Sequence, residues 1–144
     1  MKPSVILSAL SAFLLAACSA SDWHQAYDSD VCNELATKID SRQPLTQQDY
    51  ASMIAQNEDI LKYIIERSRT ISEMPDSVRS GAWRDLLADP EYLERFSYMF
   101  TIGSSLYQAD ADGLLDKENA DHYAELDRYN ADLAAITDRN WKQM

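Results

Sequence analysis

Four carboxylates surround a glycine in the second half of this chain, and they are the residues best suited to bind a cation. Asp110 and Asp112 precede Gly113, while Asp116 and Glu118 follow it. Short carboxylate side chains can converge on a hard cation such as calcium where a glycine lets the backbone turn sharply. The spacing therefore makes Asp110, Asp112, Asp116 and Glu118 a candidate calcium site.

The segment from Gln108 to Asn119 resembles the twelve-residue calcium loop of EF-hand proteins. With Gly113 at the sixth position, the three aspartates fall at the third, fifth and ninth positions. The segment departs from the family pattern at both ends, because Gln108 replaces the first Asp and Asn119 replaces the bidentate Glu. A second interpretation needs no metal: Gly113 ends one helix and Asp116 caps the next.

Other catalytic or metal-binding patterns are weak. Glu118, His122 and Glu125 share one face of a predicted helix, as ligands of a transition metal would, but a matching set on a second helix is missing. The sequence contains no Gly-x-Ser-x-Gly motif and no glycine-rich phosphate loop. We therefore expect no metal cofactor and no enzymatic activity.

Aromatic side chains concentrate on the third and fourth predicted helices. Most of them should belong to the core. Trp83 and Tyr98 are candidate interface residues if they are exposed beside carboxylates, because Trp and Tyr are enriched where proteins bind one another. The group consists of Trp83, Tyr92, Phe96, Tyr98, Phe100 and Tyr107.

The first residues have the pattern of an export signal. Lys2 supplies a positive charge, and an uncharged, mostly apolar run follows from Val5 to Leu15. A helix that spans a bilayer needs about 20 apolar residues, so this run fits the shorter apolar region of a signal peptide. The run ends in Leu-Ala-Ala-Cys at positions 15–18. This sequence resembles the lipobox of bacterial lipoproteins at all four positions.

The lipoprotein resemblance implies that the Cys18 thiol carries diacylglycerol. It also implies that residues 1–17 are removed and that the new amine is acylated by a fatty acid such as palmitate. Two or more acyl chains hold a protein durably at a membrane. In enteric lipoproteins an Asp after the cysteine directs retention at the inner membrane, so Ser19 implies the outer membrane. We expect an anchored protein of the bacterial cell envelope that faces the periplasm.

A lipidated Cys18 leaves Cys32 as the second cysteine of the chain, without a disulfide partner. Cys32 lies one helical turn before Leu35 and Ala36, on the apolar side of the first predicted helix. An unpaired cysteine in such a place usually behaves as a small buried apolar group. We therefore expect a buried Cys32 in preference to an intermolecular disulfide or a reactive thiol.

The charge is strongly negative. Thirteen basic and 24 acidic residues give a net charge of −11, and loss of Lys2 with a signal peptide makes it one unit more negative. This charge opposes binding to nucleic acid or anionic lipid. It favours a basic protein partner or divalent cations, although solubility alone would also explain it.

Helical periodicity covers most of the chain after residue 29, and alternating strand patterns are nearly absent. The predicted helices are 30–41, 46–72, 78–88, 89–107 and 117–140, with N-caps at Thr46, Asp89 and Asp116. The helix after Asp89 is apolar over most of its girth, so we expect it to be the most buried one. Its Gly103 would let another helix approach closely. Asn57 interrupts the apolar stripe of the second helix, either as a paired core amide or at the stripe's edge.

These elements predict an all-α protein: a compact bundle of about five helices at 30–144, joined to the lipid by a polar tether at 18–29. Small acidic helical lipoproteins are similar to immunity proteins, which neutralise toxins in the periplasm. That resemblance implies a protein-binding inhibitor of a basic toxin or hydrolase. The alternatives are an assembly accessory of an envelope complex and a calcium-binding envelope protein.

Overall fold

The computed structural model describes residues 23–143, so the predicted signal peptide and Cys18 lie outside the described residues. The predicted all-α class is confirmed, since the described chain folds into a bundle of six helices without strands. These are α1 (Ser29–Asp40), α2 (Gln47–Ser72), α3 (Asp76–Leu87), α4 (Pro90–Ala111), α5 (Lys117–Glu125) and α6 (Asp127–Gln143). Between residues 23 and 143, each helix is too short or too polar to cross a membrane.

Local side-chain chemistry sets where the helices begin. Thr46 caps α2 in a capping box with Asp49, Asp89 caps α4, and Asp116 accepts from the Asn119 amide at the start of α5. These three caps were predicted. The cap of the first helix is Asp28, whose carboxylate accepts from the amides of Asp30 and Val31.

The central helix is α2, and the prediction that the fourth helix is the most buried one is wrong. α2 contacts every other helix of the bundle, and Met53, Ile60 and Ile64 are fully buried along it. α4 buries one row of side chains, namely Tyr92, Ile102, Leu106 and Ala109. Its apolar arc is wide because it contains two adjacent rows, and the described chain covers the second row incompletely.

The single helix predicted over 117–140 is divided at Leu126. The Leu126 amide donates to Tyr123 O at 3.0 Å, which is a bond to the third preceding residue rather than the fourth. Leu126 is itself fully buried in the main core cluster, while Ile136 further along packs beside Leu61 in a second cluster. Leu126 at the break and Ile136 of α6 therefore each bury an apolar side chain in the core.

A non-helical segment at 23–28 packs against α2, although its polar composition had placed it in the tether. The Gln56 amide accepts from the Asp28 N–H at 2.8 Å and donates to Ala26 O at 3.0 Å. The Tyr27 N–H donates to Asp59 Oδ2 at 2.8 Å. The folded domain therefore extends on its N-terminal side at least to residue 23.

Candidate functional site

The second apolar row of α4 is open to solvent. Successive members are three and four residues apart, which places them on one face of the helix. Phe100 is 72% exposed and Tyr107 is 71% exposed, and Phe96 is also exposed. We call this row the exposed stripe of α4; it consists of Leu93, Phe96, Phe100, Gly103 and Tyr107. Rows with this 3–4 spacing are typical of a helix that packs against another helix.

Beside the stripe lies a groove of about 650 Å³ between α4 on one side and α5 and α6 on the other, with α2 as its floor. We call it the Asn57 groove. Its apolar lining comes from four helices, and its size is that of a small-molecule or side-chain pocket. The apolar and aromatic lining residues are Leu61, Met99, Phe100, Tyr107, Tyr123 and Leu133.

Asn57 supplies a polar group at the floor of this groove. The residue is only 5% exposed, and its Oδ1 accepts no hydrogen bond from any residue of 23–143. A buried acceptor without a donor costs roughly 1–3 kcal/mol of stability. The sequence left open whether Asn57 was paired, and the structure shows that its carbonyl oxygen is not.

Gly103 lies against this amide from the α4 side. A Cβ built at Gly103 would be 3.8 Å from Asn57 Oδ1 and 3.9 Å from Asn57 Nδ2, which is ordinary van der Waals contact. Alanine would therefore fit, and in a helix interior it is more stable than glycine by about 1 kcal/mol. The sequence predicted that another helix would approach closely at Gly103. In this fold the approach does not require a glycine.

Three unfavourable features therefore meet at one place: an unpaired buried carbonyl, a glycine in mid-helix, and two large aromatic residues in solvent. Each lowers the stability or the solubility of the domain, and each could be removed by substitution of the residue concerned. Departures from local rules that concentrate at one site are typical of functional sites. We therefore identify the Asn57 groove and the adjoining stripe as the candidate binding site.

One end of the groove is acidic. Burial raises the pKa of the Tyr123 hydroxyl, and the nearby carboxylates of Asp110 and Asp127 raise that pKa further. The salt bridges among residues 23–143 include neither Asp110 nor Asp127. Their charge is therefore available to a group that enters beside Tyr123.

The carboxylates of the candidate calcium site separate into two groups. Asp110 lies in the last turn of α4, and Asp112, which caps that helix, accepts from Gln108 Nε2 at 2.9 Å. Asp116 caps α5 and lines a smaller cleft with Glu118 and His122. Gly113 has a φ of 68°, as a glycine that ends a helix does. Across residues 23–143, no three His, Cys, Asp or Glu side chains are grouped so as to hold a metal ion.

The candidate interface residues Trp83 and Tyr98 lie outside the exposed stripe. Both are half-buried and pack against the main core cluster, Trp83 from α3 and Tyr98 from α4.

Cys32 is fully buried and free, as expected. Burial raises the pKa of its thiol to about 12, which keeps the thiol protonated and unreactive at neutral pH.

A second polar cluster surrounds Glu58, which is 1% exposed in the middle of α2. Its carboxylate contacts His24 Nδ1 at 2.5 Å, Tyr129 Oη at 3.1 Å and Lys62 Nζ at 3.3 Å. Trp23 stacks on the imidazole of His122 with ring centres 4.6 Å apart. These contacts hold the segment 23–28 on the domain, so we assign this cluster a structural role.

The sequence contains a pattern from which the groove could have been predicted. Phe96, Phe100 and Tyr107 continue at helical spacing through Gly103, next to the row that begins at Tyr92. Two adjacent apolar rows on one helix predict two partners, of which the bundle supplies one.

Comparisons of this chain with models of protein families, with curated proteins and with solved structures find no match.

Proposed function

We propose that this chain is a protein-binding module that recognises its partner through the exposed stripe of α4 and the Asn57 groove. The observation that carries the proposal is the exposure of Phe100 and Tyr107, at 72% and 71%, beside the unpaired Asn57 carbonyl. Aromatic side chains dominate the binding energy of protein interfaces. Solvent-exposed apolar rows on a domain of this size are typical of such interfaces.

The charge supports a basic partner. The net charge of −11 speeds association with a positively charged protein and disfavours nucleic acid or anionic lipid. Asp110 and Asp127 place part of this charge near Tyr123, which lines the groove. By the resemblance to immunity proteins, the proposed activity is inhibition of a basic periplasmic toxin or hydrolase by binding, without a catalytic step.

The proposed location is the outer membrane, with the domain facing the periplasm and lipid on Cys18 as the anchor. Only four residues separate Cys18 from Trp23, where the docked segment begins, so that stretch spans at most about 18 Å. The contacts of Gln56 and Asp59 with the segment 23–28 fix where the chain leaves the domain. A short connection from a fixed point keeps the domain close to the membrane.

Affinity capture from envelope extracts tests the protein-binding proposal. The bait pair is the full chain and its Phe100→Ser variant, and Leu87→Ser is the matched control, because Leu87 is a 58% exposed apolar residue of α3 outside the stripe. We expect one basic protein to be retained by the full chain and by the control, and lost from the Phe100→Ser bait. Equal retention by all three baits, or no retained protein, would reject the proposal.

A further inference from the structure

The chemistry of the Asn57 groove indicates what its occupant presents. We propose that the groove accepts a guanidinium group, carried by an arginine of the bound partner, which donates a hydrogen bond to Asn57 Oδ1. This inference rests on the proposed protein-binding function and makes it more specific. Two features of the groove select this group, namely its free acceptor and its aromatic walls. The carboxylates near Tyr123 add a favourable charge.

The free acceptor requires a donor. Asn57 Oδ1 is buried and accepts nothing from the described chain, so a ligand that donates to it removes an existing penalty instead of only adding a contact. A hydrogen bond from a charged donor is about twice as strong as one between neutral groups. The position that a Cβ of residue 103 would occupy lies 3.8 Å from this oxygen and 3.9 Å from Asn57 Nδ2.

The aromatic walls select a planar cation over a compact one. Phe100, Tyr107 and Tyr123 line the same groove as Asn57. A guanidinium group stacks on aromatic faces and is more weakly hydrated than an ammonium group, so less hydration is lost when it enters an apolar groove. The domain already uses this pairing, since the guanidinium of Arg95 lies 4.1 Å from the ring centre of Tyr63 and 4.3 Å from that of Tyr27.

The carboxylates supply the balancing charge. Asp110 and Asp127 act on Tyr123, which lines the groove, and neither forms a salt bridge within the described chain. A guanidinium group has five N–H donors, so a hydrogen bond to Asn57 leaves other donors free for further acceptors. The same negative charge opposes a second copy of this chain as the occupant, because two molecules with this net charge repel each other.

The test uses butylguanidinium as the probe, titrated into the purified full chain and followed by 1H–15N correlation spectra. We expect saturable shifts of the Gly103 backbone amide and the Asn57 side-chain amide. Butylurea, which has the same shape without the charge, and butylammonium should each bind about tenfold more weakly. Gly103→Ala and Asn57→Leu should abolish the shift of the backbone amide at position 103, while Gly81→Ala in α3, where a Cβ meets nothing within 4 Å, should keep it.

Several results would overturn the assignment. They are shifts confined to surface carboxylates, equal binding of butylurea or butylammonium, and full binding by the Gly103→Ala and Asn57→Leu variants. Concentration-dependent dimerisation that Phe100→Ser abolishes would make a second copy the occupant. If the probe fails while affinity capture still depends on Phe100, the guanidinium assignment falls and the protein-binding function stands.

Discussion

Gly103 of α4 lies against the side-chain amide of Asn57 of α2, with 3.8 Å between the Cβ position of Gly103 and Asn57 Oδ1. Neither residue is needed for the packing of the two helices, because alanine would fit at 103 and the Asn57 carbonyl is unpaired. Both lower the stability of the domain at the point where its largest exposed aromatic residues lie. The free protein therefore loses stability at the proposed binding site, and this loss can be measured as a free energy of unfolding.

Gly103→Ala should stabilise the protein by about 1 kcal/mol, since alanine is the better helix former and its methyl group meets only ordinary contacts. The free energy of unfolding in urea measures the change. Gly81→Ala, in the middle of α3, is the matched control and should give a gain of similar size. The variants should differ in binding, because only Gly103→Ala fills the groove. A destabilised Gly103→Ala protein would show that the glycine serves the fold.

Asn57→Leu should raise the free energy of unfolding by about 1 kcal/mol, because it removes a buried acceptor that has no donor. Asn119→Leu is the matched control. Asn119 is equally buried, but its Nδ2 donates to Gln47 O at 2.9 Å and to Gln47 Oε1 at 3.0 Å. That variant should lose roughly 1–3 kcal/mol. Similar losses in both variants would mean that the Asn57 amide is satisfied in solution.

Glu58 should make stability depend on acid pH. Burial alone would raise the pKa of the Glu58 carboxyl, but hydrogen bonds and charges from His24 and Lys62 hold that pKa below its ordinary value. A lowered pKa in the folded state means that the ionised carboxylate stabilises the fold. This contribution is complete above the unfolded pKa of about 4.5 and is lost as the pH falls through the folded value.

The comparison of Glu58→Gln with the unchanged protein isolates this effect. At pH 7 the variant should be less stable by roughly 1–3 kcal/mol, and the difference should shrink as the pH falls below about 4.5. Urea unfolding between pH 7 and pH 3 measures it. Glu66→Gln, an exposed residue of the same helix, should show little change at any pH. A Glu58 difference that stays constant with pH would contradict the assigned pKa shift.

Cys18→Ala should release the protein from the membrane, because lipid on Cys18 is the proposed anchor. Separation of membrane and soluble fractions from the producing cells measures the distribution. Cys32→Ser is the control cysteine: it is buried, so it should leave the protein anchored. A Cys18→Ala protein that stays fully membrane-bound would disprove the lipid anchor and, with it, the proposed location.

Local chemistry made much of the fold predictable. Thr46, Asp89 and Asp116 were recognisable N-caps because a side chain that bonds to the first turn acts within four residues. The break at Leu126 was not predictable, since it depends on how α5 and α6 each reach α2. The docking of residues 23–28 was equally hidden, because it depends on Gln56 and Asp59, more than 25 residues away.

The site was harder to predict than the fold, because it also depends on contacts between distant parts of the chain. The apolar width of α4 was visible in the sequence, but width alone does not show which row the bundle covers. Asn57 stood out as a polar residue in an apolar stripe, while its missing donor is a property of the folded chain. The carboxylates around Gly113 have a spacing that suggests a calcium site. In the structure the Asp116 carboxylate caps α5, and the Asp112 carboxylate accepts from Gln108.

Photo-crosslinking in the producing cells tests the central claim, recognition of a protein through the exposed stripe of α4. A photoreactive benzoylphenylalanine replaces Phe100 in one version of the full chain and Leu87 in another, both positions being exposed. The account predicts a crosslink from position 100 to a single basic protein and none to that protein from position 87. Absence of a crosslink from position 100, or the same products from both positions, would contradict it.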